Sequence, residues 1–83
     1  MLVRVRLGAG LVLPAGNPHL SVNLSENATV ADLLDHLRTE YPSLAPKINS
    51  ALPLVSGRPA SPAYHLTEAQ EVALLLPAAG GLA

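Results

Sequence analysis

The stretch that decides the fold is Leu66-Thr-Glu-Ala-Gln-Glu-Val-Ala-Leu-Leu-Leu-Pro-Ala-Ala-Gly-Gly81. Its segment Glu71 to Leu76 is the most apolar strand candidate of the chain, with apolar residues on both alternating faces, and Pro77 ends it. Such a strand belongs in the middle of a sheet rather than at an edge. The small residues that follow end in Gly80-Gly81, so we expect a thin, pliable tail that could enter a narrow channel of another protein.

Two more strands are predicted at the start of the chain. The segments Met1 to Leu7 and Leu20 to Leu24 alternate apolar and polar residues, which is the pattern of half-buried strands. The segment Gly8 to His19 is rich in Gly, Pro and Asn and is predicted to be a loop. We therefore expect an antiparallel hairpin, with the first strand lying beside the last one at the centre of the sheet.

The periodicity then changes to that of a helix. Thr29 is a good N-cap, Asp32 stands where a short capping box needs it, and Pro42 ends the helix near Tyr41. One apolar stripe follows the helical repeat, and with the last strand it is expected to supply the core centre. The stripe is Val30, Leu33, Leu34, Leu37 and Tyr41, and the expected core centre is Leu33, Leu34, Leu37, Val72 and Leu74.

Shorter elements complete the predicted fold. Ser43 to Ser50 is expected to be a turn or short helix, Leu52 to Val55 a third strand, and Ala60 to Leu66 a brief edge strand. The order of elements predicts an α+β protein with a mixed sheet of about five strands packed on one main helix. We expect one domain over residues 1–77 and a flexible C-terminal tail over residues 78–83.

Composition excludes several classes of function. The 83 residues carry a net charge of −1 and include two Tyr but no Phe or Trp, which disfavours nucleic-acid binding. The chain has no Cys, so disulfides and thiol chemistry are excluded. No leader or membrane-spanning segment is recognisable, and we expect a cytoplasmic protein without a membrane partner.

No catalytic pattern emerges from the polar residues. His19, His36 and His65 lack the close spacing of metal ligands, so we expect no metal site and no cofactor. The Gly8-Ala-Gly10 segment follows a strand like half of a dinucleotide-binding motif, but Leu13 stands where the third Gly should be. We therefore predict that the protein is not an enzyme.

The stretch Leu66 to Gly81 resembles the C-terminal signature of the ubiquitin-like sulfur carriers. This family includes the small subunit of molybdopterin synthase and the thiamine sulfur carrier. The first strand, the helix opening Thr29-Val-Ala-Asp-Leu-Leu34 and the turn Val55-Ser-Gly57 are similar to it as well, so the resemblance covers nearly the whole chain. It implies a β-grasp fold.

The resemblance also implies a mechanism. An ATP-dependent activating enzyme would adenylate the carboxylate of Gly81, with Gly80 giving access, and sulfur transfer would make a thiocarboxylate that a large synthase subunit uses. Leu82-Ala83 follow Gly81, which leaves three alternatives: a proform from which a metalloprotease removes them, a cloning scar, or a relative that has lost the carrier role. The molybdopterin branch is favoured by the Glu71-Val-Ala73 run and the length to Gly-Gly.

Other functions stay open at this point. A carrier for cysteine, thiamine or tRNA-thiolation pathways fits the same tail, as does a protein conjugator that joins Gly81 to a lysine. A β-grasp binding module without tail chemistry is the alternative that Leu82-Ala83 favours.

One surface is predicted to bind the activating enzyme and the large synthase subunit. In the expected strand pairing, Arg4 and Arg6 share the solvent face of the sheet with Ala73 and Leu75, and Pro77 lies where the tail begins. Arginine is common at interfaces because it combines a planar charged group with an apolar stem. Leu75 stands where several relatives of this family have an aromatic residue.

Overall fold

A computed structural model of the chain describes residues 1–77, and within them five strands form a single mixed sheet. The strands are β1 (Leu2–Leu7), β2 (His19–Asn23), β3 (Leu52–Val55), β4 (Arg58–Pro59) and β5 (Glu71–Leu75). Their order across the sheet is β2-β1-β5-β3-β4. β1 and β5 are parallel, and the other neighbours are antiparallel. The predicted hairpin and the central position of the last strand beside the first are confirmed.

The helices lie between the strands. They are α1 (Val12–Ala15), α2 (Val30–Glu40) and α3 (Ala45–Ile48), and a 3₁₀ turn over Pro42–Leu44 precedes α3. The 3₁₀ turn and α3 occupy the segment expected to be a turn or short helix, whereas α1 lies in the segment expected to be a loop. In the part of the chain that the structure describes, no helix has the length and apolar character that a membrane crossing requires.

The main helix begins with a capping box. The Asp32 amide donates to Thr29 Oγ1 at 3.2 Å, and the Thr29 amide donates to Asp32 Oδ2 at 2.9 Å. These two bonds satisfy backbone donors that the first helical turn cannot pair internally. The helix therefore begins at Val30, as the sequence predicts.

An aliphatic core fills the space between α2 and the inner face of the sheet. Leu33, Leu37, Val72 and Leu74 have no exposed surface, as expected. Leu34 is only partly buried and packs against the margin of the core, so its predicted place in the core centre is wrong. Successive helical residues are rotated by about 100°, and the buried stripe of α2 is centred on Leu33 and Leu37.

The edge strand starts earlier than predicted. Ser56 and Gly57 have φ values of 52° and 81°, the geometry of a two-residue turn that returns the chain immediately. β4 therefore begins at Arg58, and the expected strand over Ala60 to Leu66 is wrong. That segment contributes only an isolated bridge, from His65 to the N-cap of α2.

With its corrected edge, the described part of the chain has the β-grasp arrangement, a mixed sheet packed on one main helix. The strand that leads to the C-terminus lies in the middle of that sheet, between β1 and β3.

Candidate functional site

The last described residues, Leu76 and Pro77, follow the most deeply anchored strand of the sheet. β5 is paired on both sides, and Val72 and Leu74 are completely buried. The chain is described as far as Pro77, which is exposed. Gly80 and Gly81, which are predicted to carry the chemistry, and Leu82-Ala83 lie outside the described residues. The structure thus defines the platform from which the predicted reactive end extends.

Two glycines at the end of β1 make room for the last residues of this platform. The Gly8 amide donates to the Leu74 carbonyl oxygen at 2.9 Å, and a Cβ at Gly8 would lie 2.8 Å from Leu75 Cδ2. A Cβ at Gly10, whose φ is +90°, would lie 2.8 Å from Leu76 Cδ1. Carbon atoms do not approach this closely, so a Cβ at either position would require the end of the leucine side chain to shift. The two glycines let the turn after β1 pack closely against Leu75 and Leu76 without that shift.

Helix α3 closes the same region from the other side. Lys47 Nζ donates to the Gly10 carbonyl oxygen at 3.0 Å. A cavity of about 400 Å³ lies beside this contact, with Leu76 and Pro77 in its wall. Its other lining residues are Pro46, Lys47 and Ser50. Lys47 is the single lysine in the sequence, so one ammonium group lies in the wall of this mainly apolar cavity, beside the last described residues.

Four of the five residues predicted to bind partners lie on the outer face of the sheet: Arg4, Arg6, Ala73 and Leu75. The fifth, Pro77, follows β5 and lies outside the sheet. The register places Arg4 beside Glu71 and Arg6 beside Ala73. Arg6 Nε lies 3.8 Å from Glu71 Oε1, and both side chains are about half exposed. Such an exposed pair adds little stability, so little free energy is lost if Arg6 exchanges Glu71 for another partner.

Ala73 is the exception among these residues. It lies on the predicted face but is only 6% exposed, so the expectation that it is open to solvent is wrong. Its neighbours across the sheet are Arg6 on β1 and Leu54 on β3. Their longer side chains flank the single methyl group of Ala73, and we attribute its burial to them.

The sheet pairing adds two leucines that sequence reasoning missed. Leu52 lies opposite Leu75, and Leu54 lies opposite Ala73. Leu52 is 44% exposed, while Leu54 and Leu75 are partly exposed. We call Leu52, Leu54 and Leu75 the outer apolar patch. The sequence could have indicated this patch only if the register between the third predicted strand and the last strand had been predicted, and it was not.

The histidines are dispersed over the described part of the chain. Residues 1–77 contain no group of three or more His, Cys, Asp or Glu side chains that could hold a metal ion. His65 Nδ1 donates to the Asn27 carbonyl oxygen at 2.8 Å, and this bond helps to fix the loop before α2. The candidate site therefore consists of the firmly held end of β5 and the partly apolar outer face of the sheet beside it.

Comparison with known families agrees with this arrangement. The model of the ThiS family matches residues 15–81, and the matched region ends at Gly81. The chain belongs to the ThiS family. Members of this family are ubiquitin-like sulfur carriers, small carrier proteins rather than catalysts. A search of curated proteins by sequence finds no match for this ThiS-family chain.

Solved structures are similar over nearly the whole ThiS-family chain. SAMP1 from Haloferax volcanii is 27% identical, with a TM-score of 0.88 over 98% of this chain and 100% of that one. A putative molybdopterin converting factor, subunit 1, from Pyrococcus furiosus is 21% identical, with a TM-score of 0.86 over 94% and 99% of the two chains.

A third structure is a complex of subunits 1 and 2 of the molybdopterin-converting factor from Helicobacter pylori. The matching chain is 14% identical to this one, with a TM-score of 0.71 over 94% of this chain and 96% of that one. At such identities the last two structures bear on the fold alone, and they confirm the β-grasp fold of this ThiS-family protein.

Proposed function

We propose that this chain is a sulfur carrier whose Gly81 carboxylate is adenylated and then converted to a thiocarboxylate, after removal of Leu82-Ala83. The observation that carries the proposal is the end of the family match at Gly81, which leaves Leu82 and Ala83 outside it. A carrier of this kind needs its reactive group at the tip of a chain without side chains, and Gly80-Gly81 supplies such a tip.

The chemistry of the proposal requires a free terminal carboxylate. A carboxylate oxygen of Gly81 attacks the α-phosphate of ATP, and pyrophosphate leaves. A hydrosulfide ion (HS⁻) then attacks the acyl carbon, the C–S bond forms as the C–O bond to AMP breaks, and loss of the S–H proton leaves the thiocarboxylate on Gly81. The activating enzyme supplies the catalytic groups, and this chain supplies the substrate group and its position.

The dimensions of the chain suit this role. Four residues, Ala78 to Gly81, follow Pro77 up to the proposed reactive carboxylate. Fully extended, four residues span about 14 Å. Such a tail reaches into a partner's active site while the sheet face with Arg4, Arg6 and Leu75 stays outside and binds the partner's surface.

We place the chain in the molybdopterin branch, as the small subunit of a molybdopterin synthase. The Glu71-Val-Ala73 run and the length from it to Gly-Gly support this branch. The similar fold of the H. pylori chain supports a large synthase subunit as partner, because that chain is in complex with subunit 2. The other proposed partners are an ATP-dependent activating enzyme and a processing metalloprotease.

A second candidate function is protein modification. The observation that favours it is the 27% identity with SAMP1, a small archaeal modifier protein, over 98% of this chain. In that function the lysine amine of a target protein attacks the activated Gly81, AMP leaves, and an amide bond joins the two proteins.

The intact mass of the protein purified from its native cell tests both functions. A carrier is expected to lack Leu82-Ala83 and to contain one sulfur in place of one oxygen. A modifier is expected to appear in covalent adducts in which Gly81 is linked to lysines of other proteins. An unchanged 83-residue chain in every fraction would contradict both functions and favour a binding module.

A further inference from the structure

The two edges of the sheet are protected to different degrees. β4 has two residues, one of them a proline and the other the charged Arg58. β2 has five residues, His19-Leu-Ser-Val-Asn23, with no proline and no Lys, Arg, Asp or Glu. Short strands, prolines and charges are the devices that prevent edges from pairing with other chains. Within the described residues, β2 is thus the edge that is open to pairing.

The outward backbone groups of β2 can be identified from the pairing with β1. The Leu24 amide donates to the Met1 carbonyl oxygen at 2.8 Å, and the Met1 amino group donates to the Leu24 carbonyl oxygen at 2.7 Å. Residues that point toward the partner alternate along an antiparallel pair. Leu20 and Val22 therefore bond to β1, whereas Ser21 and Asn23 direct their N–H and C=O groups outward.

Among residues 1–77, the hydrogen bonds include none from the outward amides of Ser21 and Asn23. The third outward amide, that of His19, donates to Asn17 Oδ1 at 3.1 Å. The edge therefore presents two free donors, at Ser21 and Asn23, and the carbonyl oxygens of all three outward residues.

We propose that β2 pairs antiparallel with β2 of a second copy of this chain, around a two-fold axis at Ser21. In this register each Ser21 amide donates to the carbonyl oxygen of Ser21 in the other copy, and each Asn23 amide donates to the carbonyl oxygen of His19. Four hydrogen bonds form without displacing Asn17 from the His19 amide. The two sheets join into one continuous sheet.

The side chains of β2 are compatible with this pairing. His19, Ser21 and Asn23 are exposed, so Ser21 faces Ser21 and His19 faces Asn23 across the axis, with no carboxylate or ammonium group in the strand. The nearest charged side chain across the β1–β2 pair is Arg4, opposite Ser21. The two Arg4 residues are separated by three strand spacings, about 14 Å. Because this distance exceeds the screening length of about 8 Å at physiological salt, their repulsion is weak.

A second copy fits this edge better than a foreign peptide does. Peptides that add to an edge gain their specificity from pockets for alternate side chains. The inward side chains of β2, Leu20 and Val22, are only 8% and 4% exposed, so they offer a peptide almost no apolar surface. The two-fold symmetry of self-pairing sets the register without such pockets.

The paired edge is small, and the dimer is correspondingly weak. A five-residue edge buries far less than the roughly 1,600 Å² of a standard interface, so we expect self-association at about 0.1–1 mM protein. β5 lies two strands from this edge, so its exit for the tail stays uncovered in both copies.

Sedimentation equilibrium of the full-length chain tests the proposal. Ser21→Pro removes the outward amide but leaves the bonds to β1 intact, because proline is tolerated where an edge N–H faces solvent. Ser21→Ala is the matched control, since it keeps the amide. The parent and Ser21→Ala are expected to dimerise alike, and Ser21→Pro at least tenfold more weakly.

A charge exchange at the axis gives an independent test. Ser21→Lys and Ser21→Glu each place like charges opposite one another, so each variant alone is expected to be monomeric, and their equimolar mixture is expected to dimerise. Circular dichroism checks that every variant is folded. If Ser21→Pro is not folded, the Ser21→Lys and Ser21→Glu variants test the proposal without it. A parent that is monomeric at 1 mM, or a mixture that fails to associate, overturns the proposal.

Discussion

Gly10 combines a backbone conformation and a close contact that both favour glycine. Its φ of +90° is unfavourable for residues with a Cβ, and a Cβ there would meet Leu76 at 2.8 Å. Gly16 has a similar φ of +83°, but a Cβ there would meet nothing within 4 Å. Substituting alanine at each of the two positions therefore distinguishes the free-energy cost of the backbone conformation from that of the contact with Leu76.

We predict that Gly10→Ala destabilises the protein more than Gly16→Ala does. Both variants lose about 1–2 kcal/mol of stability because of the left-handed conformation. Gly10→Ala must also displace the end of the Leu76 side chain, and because that end is flexible we expect this second loss to be the smaller one. Urea denaturation of both variants and the parent measures the difference. Equal losses would mean that Leu76 moves aside freely and that Gly10 does not fix the tail exit.

For individual residues, the sequence allowed us to predict which residues belong to the site but not which residues they contact in space. Gly8 and Gly10 were recognised as an incomplete nucleotide-binding motif, and that function was rejected. Their contacts with Leu75 and Leu76 join positions that are more than 60 residues apart, and no local pattern encodes such a distance. The predicted pairing of the first and last strands brought the two segments together, but without the register.

Among the elements, β3 and β5 together form the outer apolar patch, which we expect to bind partners. We predict that Leu75→Glu weakens binding to the activating enzyme and to the large synthase subunit by tenfold or more. A carboxylate in this position must be desolvated beside Leu52, which lies opposite it. Isothermal titration calorimetry with each purified partner measures the effect.

The matched control for this variant is Leu13→Glu. Leu13 is 92% exposed and lies on α1, outside the sheet. It introduces the same charge and the same loss of an apolar side chain without touching the patch. Equal affinity of the Leu75→Glu variant and the parent for both partners would show that this face does not bind them.

The elements differ in how far their sequences specify them. The main helix was predicted to within a residue, because its capping box and its apolar repeat are local. β4 was predicted too late, although its turn at Ser56-Gly57 was recognised, because the strand has only two residues, Arg58 and Pro59, and these are too few to show an alternating pattern. α1 was missed, since its four residues are too few to show a helical period. Ala73 was placed on the correct face, but its burial depends on neighbours in two other strands.

In the whole molecule, the proposed function assigns partner binding to the folded domain and the reactive carboxylate to the C-terminal residues. The domain holds β5 between two strands, so Pro77 has a fixed place relative to the face with Arg4, Arg6 and Leu75. The tail then determines which carboxylate reaches the activating enzyme. In the 83-residue chain that carboxylate belongs to Ala83, and the side chain of Leu82 precedes it.

We predict that a chain truncated after Gly81 supports ATP–pyrophosphate exchange with its activating enzyme and that the 83-residue chain does not. A channel shaped for Gly-Gly excludes the isobutyl group of Leu82, and a displacement of about 1 Å can already reduce a rate by ~100-fold. Gly81→Ala in the truncated chain restores a side chain at the tip and is expected to fail as well. A second truncated variant, Leu13→Ala, changes a remote exposed residue and is expected to exchange normally. Equal exchange by the full-length and truncated chains would mean that Leu82-Ala83 is tolerated in the channel, and processing would then not be needed for activation.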